Sequence, residues 1–168
     1  TDQRTSDAIQ LAERYGAHNY APLPVVIERG EGAFVWGADG TRYVDFLSSY
    51  SALSHGHRHP RLAAVMRRQL ELVTLTSRAF YNAEMGPFLE ELCAYCDMDM
   101  ALPMNTGAEA VETVLKAARK WAYVVKGVPR HEAEIIVCAG NFHGRTITAV
   151  SLSTEEAYRR DFGPFTPG

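Results

Sequence analysis

Apolar positions along this chain recur with two different periods, and the switch between them marks out its elements. In residues 5–15, Ile9, Leu11 and Ala12 stand in a polar background, which predicts a short amphipathic helix. The stretch YAPLPVVIERGEGAFVWGADGTRYVDFLSSY then reads as β-structure. Within it the β-prone runs AFVW and RYVDF flank Gly37-Ala38-Asp39-Gly40, a hairpin signal. Pro60 suits a first helical position, and Leu62, Val65, Met66, Leu70 and Val73 share one side of the helix it opens. A further helix is predicted over about residues 86–97 and a strand over about 98–104.

The longest helical pattern follows Gly107. Val111, Val114, Leu115, Ala118, Trp121, Ala122 and Val125 repeat at i, i+3, i+4 and i+7, so this stripe is expected to be buried. Glu112 and Lys116 form a favourable i, i+4 pair on the other side, together with Arg119 and Lys120. After Gly127 and Pro129, the run EIIVCAG suits a strand buried in a parallel sheet. Strand, helix and strand make a βαβ unit with a right-handed crossover, so the fold class is α/β. Ligands on such sheets lie at the carboxyl ends of strands, beside helix N-termini. Thr106-Gly107-Ala108 and Gly140-Asn141-Phe142-His143-Gly144-Arg145 both fall at such ends, and they are expected to converge on one crevice.

Composition narrows the class. The 168 residues are 46% hydrophobic and 22% charged, with a net charge of −3 and a pI near 6.1. That balance gives no basic face for nucleic acid or for an anionic membrane. The polar start TDQRTSDAIQLAERYG has no apolar signal core, and no stretch approaches the roughly 20 apolar residues of a membrane span. The expectation is a soluble, cytoplasmic protein. Three cysteines make no disulfide framework; Cys93 and Cys96 form a CxxC on an apolar helix face with Phe88, Leu89 and Leu92, which favours a buried structural role.

Three places carry candidate chemistry. A helix N-terminus at Gly107 offers unpaired N–H groups and about half a positive charge to an anion. Equally, Gly107 permits a turn and Thr106 caps the helix. In GNFHGRT, Arg145 offers a bidentate fork for a carboxylate or phosphate, and Phe142 offers a cover for a flat ring. The plainer alternatives are a solvated Arg145 and a core Phe142. His55, His57 and His59 alternate in SHGHRHP as metal ligands do, but no acidic residue or cysteine lies close in sequence, which favours turn and packing roles.

The motifs NYAPLPVVIERGEGAFVW, DFLSSYSA, GHRHP, TLTSRAFYN, LPMNTGAEAVETVLKAARKW, GNFHGRT and FGPFTPG together resemble the ornithine-specific branch of the class-III, pyridoxal-phosphate-dependent aminotransferases. The resemblance runs from about residue 16 to the end. Relatives acting on acetylornithine or 4-aminobutyrate share GHxHP and the GR element, whereas SSYSA and LPMNTGAEA look more like the ornithine branch. The resemblance implies that Gly107 and Ala108, with Thr106 nearby, hold the phosphate of pyridoxal 5'-phosphate. Phe142 then corresponds to the aromatic stacked on the pyridine ring, with His143 beside the cofactor. Arg145 corresponds to the arginine that grips a substrate carboxylate, Tyr20 to a tyrosine assisting it, and Tyr50 to a specificity residue of the substrate pocket. The implied reaction converts ornithine and 2-oxoglutarate to glutamate 5-semialdehyde and glutamate.

The resemblance also implies what is missing. The family's Schiff-base lysine lies far beyond residue 168, so no catalytic residue of that kind is expected here. Lys116, Lys120 and Lys126 all lie on or just after the long helix, unlike a desolvated, activated lysine. The expected architecture is an incomplete N-terminal part of the fold-type-I transferase, a mainly parallel sheet flanked by helices. Residues 1–47 would belong to the small domain and 48–168 to the first part of the large cofactor-binding domain. Such a part is expected to expose a strand edge and apolar surface. It calls for a complementary C-terminal chain and, in the complete enzyme, a homodimer. The alternatives are a non-catalytic remnant or binding module, or action on acetylornithine or another ω-amino acid. A plain nucleotide-binding βαβ protein is disfavoured: NTGAEA has one glycine and no Walker lysine.

Overall fold

A computed structural model describes residues 2–168. Residue contacts group the chain into two units, Thr1–Tyr81 and Asn82–Gly168.

The first unit begins with helix α1 (Gln3–Tyr15), capped by Asp2, whose carboxylate accepts from the Thr5 N–H at 2.8 Å. This bond holds the Asp2 carboxyl below its ordinary pKa. Three strands follow, β1 (Ile27–Glu31), β2 (Phe34–Gly37) and β3 (Arg42–Val44), in the antiparallel order β1-β2-β3. Phe34 faces Val44, Val35 faces Tyr43 and Trp36 faces Arg42. The expected hairpin turn forms where predicted. Gly40 takes φ +82°, and Asp39 accepts from both the amide and the hydroxyl of Thr41. Arg29 and Arg42 lie over the Trp36 and Phe34 rings.

Between β3 and the next helix the chain makes the single turn α2 (Ser48–Ser51). All four of its residues have positive φ, from 46° to 70°, so the turn winds left-handed. For L-residues other than glycine this costs about 1–2 kcal/mol each. Helix α3 (Pro60–Leu72) starts with its proline in the first turn, as expected, but none of its residues is buried.

The second unit holds α4 (Met85–Cys96), the long α5 (Gly107–Val124), and the short α6 (Ile147–Ser151) and α7 (Glu156–Arg159). α6 packs on α5 and α7 on α6. Ala133, Ala149, Val150 and Ser153 are its buried residues.

Three expectations are corrected here. First, the strands predicted at about 98–104 and at EIIVCAG have no ladder; the only sheet among the described residues is β1-β2-β3. Residues 133–138 nonetheless keep a strand's alternation. Ala133, Ile135 and Val137 are covered, while Glu134, Ile136 and Cys138 face outward, Ile136 at 98% exposure. A strand exists only through a hydrogen-bonded neighbour, and a parallel strand takes its neighbour from distant sequence. Second, the apolar stripe of α5 is only partly covered. Val111, Leu115, Ala118 and Ala122 are half-buried, whereas Val114, Trp121 and Val125 are exposed. Third, Cys93 is half-buried and Cys96 exposed, so the CxxC is not a buried structural element.

The accessible surface is 14244 Å². Two separate globular proteins of half this mass would together expose only about 10,000 Å². The excess is present however the two units are arranged, and it matches the expected apolar exposure.

Candidate functional site

The N-terminus of α5 is built by its own first turn. Thr106 is the N-cap in extended conformation, and its hydroxyl accepts from the Glu109 N–H at 3.1 Å. The Glu109 carboxylate reaches back to the Asn105 N–H at 2.9 Å. These bonds resemble a capping box and satisfy two donors. The capping reading of Thr106 is therefore correct as far as it goes. The N–H groups of Gly107 and Ala108 have no intrahelical acceptor by helix geometry, so capping leaves both donors at the helix end. A Cβ on Gly107 would meet no protein atom within 4 Å. The protein's own packing does not require glycine there.

The loop Gly140–Thr146 is pinned at both ends. At its start, the Gly140 N–H donates to Thr154 Oγ1, and the Asn141 amide donates to the carbonyls of Cys138 and Leu152. At its end, Thr146 caps α6 by accepting from Ala149 N–H, while its hydroxyl donates to Glu112 of α5 at 2.6 Å. Gly144 carries the approach between loop and helix. Its φ is +125°, and a Cβ there would lie 3.1 Å from the Ala108 Cβ. The expected convergence of 106–108 with 140–145 therefore holds, through direct packing.

Phe142 and Arg145 leave this loop toward a shared neighbour. The Phe142 ring meets Tyr158 of α7 edge-on, with centroids 6.0 Å apart. The Arg145 guanidinium lies over the same tyrosine, 5.7 Å from its centroid. Phe142 is 61% exposed, so it is not a core residue. His143 is half-buried. Tyr158 is the site neighbour that sequence reasoning missed. It lies 13 positions beyond Arg145 in a four-residue helix, and no local pattern marks it. α7 is held in turn by Arg159, which donates to the carbonyls of Ser151 and Ser153.

Tyr20 and Tyr50 belong to the first unit, Tyr20 in the irregular segment before β1 and Tyr50 on the left-handed α2, both with exposed rings. The three histidines do not converge. His57 Nε2 bonds Asp45 Oδ2 at 2.7 Å, and His55 packs beside His59 with ring centroids 5.7 Å apart. Among the described residues no group of three His, Cys, Asp or Glu side chains is arranged for a metal ion. The acidic partner that local sequence lacked is supplied from twelve positions upstream. The Asp45 carboxyl is held below its ordinary value, first by the Ser48 N–H and then by His57.

Lys116, Lys120 and Lys126 are exposed, with the Lys126 ammonium over the Trp121 ring. None lies on the loops just described. No helix among the described residues is long and apolar enough to cross a membrane.

The aminotransferase class-III family model matches residues 15–168. An ornithine aminotransferase of Brevibacillus brevis is 59% identical over 165 residues, which cover 98% of this chain and 41% of that protein. One from Bacillus subtilis is 54% identical over the same shares. Among solved structures, ornithine aminotransferase from Toxoplasma gondii superposes with a TM-score of 0.95 at 49% identity, covering 98% of this chain and 39% of that one. Acetylornithine aminotransferase from Elizabethkingia anophelis gives 0.81 at 51% identity, again over 98% and 39%. The chain thus spans about two fifths of the length of the curated relatives it matches.

Proposed function

The chain belongs to the class-III aminotransferases, and from that premise we propose that it is the N-terminal part of a pyridoxal-phosphate-dependent ornithine δ-aminotransferase. The residues present fit the cofactor. The uncapped amides of Gly107 and Ala108 would hold its phosphate, and Phe142 would cover its ring with His143 beside it. Two observations support that fit: the open space around Gly107, and the Gly144–Ala108 approach that sets the aromatic loop against the helix end. When bound, the cofactor supplies an electron sink for the carbon that loses its proton.

The substrate reading rests on Tyr20, Tyr50 and Arg145. Arg145, steadied over Tyr158, presents a bidentate fork to an α-carboxylate, and Tyr20 would assist it. A diamino acid gripped at that carboxylate offers its distal amine for transfer, which is selectivity by positioning. The single observation that favours ornithine is the 59% identity to an ornithine aminotransferase across nearly the whole chain.

In the complete enzyme, residues 1–47 join the small domain and 48–168 open the large domain, in a cytoplasmic homodimer. The proton-moving lysine would come from a complementary C-terminal segment, because all three lysines of this chain are exposed and off these loops. That same observation favours a second reading, a non-catalytic module that keeps cofactor affinity. The test joins this chain to the C-terminal remainder of a full-length relative and assays ornithine, acetylornithine and 4-aminobutyrate with 2-oxoglutarate. Preference for ornithine upholds the reading; preference for acetylornithine overturns it. Cofactor binding to the chain with no transamination in the joined enzyme supports the second reading.

A further inference from the structure

We propose that Asp45 and His57 are positioning residues for Tyr50, holding a left-handed turn that its own side chains do not favour. The inference rests on the reading of Tyr50 as a substrate-pocket residue. Tyr50 stands third in a run of four non-glycine residues with φ of 46°, 50°, 57° and 70°. Nothing in SSYS itself prefers that conformation, so the structure around it must impose it.

The Asp45 carboxylate supplies the constraint at both of its oxygens. Oδ1 accepts from the Leu47 N–H at 3.1 Å and the Ser48 N–H at 2.8 Å, at the entry to the turn. Oδ2 accepts from His57 Nε2 at 2.7 Å. His57 is in turn fixed on the sheet. Its N–H and carbonyl exchange hydrogen bonds with Gly32 at 2.8 and 3.0 Å. Its ring lies so close over Gly30 that a Cβ there would be 2.7 Å away. The neighbouring Gly56, at φ +75°, would place a Cβ 2.8 Å from the Gly32 carbonyl. A rigid path therefore leads from the three-stranded sheet through His57 and Asp45 to the turn, and the pair itself is largely shielded from water.

The joined enzyme described above carries the test, with His57→Phe, His57→Gln and Tyr50→Phe made singly and His57→Phe also combined with Tyr50→Phe. His57→Phe is expected to lower the ratio of kcat/KM for ornithine over acetylornithine by about tenfold. His57→Gln, which keeps an N–H donor, restores most of it. In the Tyr50→Phe background His57→Phe adds little. Ser49→Gly with Ser51→Gly relieves the left-handed cost and rescues His57→Phe. If Tyr50→Phe changes the ratio but His57→Phe does not, the inference fails and the reading of Tyr50 stands. If Tyr50→Phe leaves the ratio unchanged, that reading fails and the inference falls with it. A crystal structure of His57→Phe or Asp45→Asn gives an outcome independent of activity. Loss of positive φ at Ser48–Ser51 in Asp45→Asn supports the inference, and an unchanged turn in both variants overturns it.

Discussion

The β-sheet of the first unit and the extended segments of the second contain comparable runs of strand-forming residues, yet only the first pair into a sheet. β1, β2 and β3 are sequence neighbours joined by tight turns, so each finds its hydrogen-bond partner within a few residues. Residues 100–104 and 134–138 alternate covered and bare positions as strands do, but they make no ladder. Antiparallel pairing is a local property, whereas parallel pairing depends on chain that arrives from elsewhere. The proposed function follows the same division. The loops proposed to hold the cofactor, at Thr106–Ala108 and Gly140–Arg145, follow segments that make no ladder.

The largest effect should come from measuring that contrast directly. In hydrogen exchange, amides of the β1–β2 and β2–β3 ladders are expected to be protected about 100-fold or more over those of Glu134–Cys138. Adding the C-terminal segment should erase the difference. Equal exchange in the isolated chain would remove the distinction. Next in size is Arg145→Lys in the joined enzyme, which loses the bidentate fork. It should raise the KM for ornithine by about 10- to 100-fold, read by steady-state kinetics, and an unchanged KM would refute the role of Arg145.

A pair of glycines sharpens the comparison within the second unit. Gly144→Ala, at φ +125° and against Ala108, is expected to cost about 1–3 kcal/mol of stability. Gly107→Ala, with ordinary φ and open space, should leave the melting temperature unchanged or slightly raised and weaken pyridoxal-phosphate binding in an absorbance titration. The reverse pattern would exchange their roles. The smallest effect concerns pH. The Asp45 carboxyl is lowered from 3.8 by the Ser48 N–H and His57. A depressed carboxylate stabilises the fold above its unfolded value and loses that contribution as pH falls through the folded value. Order in the turn should therefore be constant above about pH 5 and decline in acid below 3.8. In Asp45→Asn this acid dependence should be absent from the NMR shifts of Leu47 and Ser48.

Much of the local structure was readable in advance. Gly37-Ala38-Asp39-Gly40 turns the hairpin, Pro60 opens α3, and Thr106-Gly107 opens α5 with the threonine as cap. The approach of Gly140–Arg145 to the α5 N-terminus is legible too, and Gly144 lies against Ala108. What could not be read were contacts between residues distant in sequence. Tyr158 under both Phe142 and Arg145, and Asp45 on His57, belong to this class. The burial of the α5 stripe and of Cys96 was overestimated, because periodicity shows which face is apolar and not what covers it.

By itself, then, the sequence determined whatever depends on a few neighbouring residues: turn chemistry, helix starts, amphipathic faces, and motifs specific enough to point to a family. Tertiary structure alone decided which apolar faces are covered, which extended runs become strands, and how Ser48–Ser51 is held left-handed. Those outcomes depend on partners supplied through space, and a one-dimensional pattern carries no record of where such partners lie.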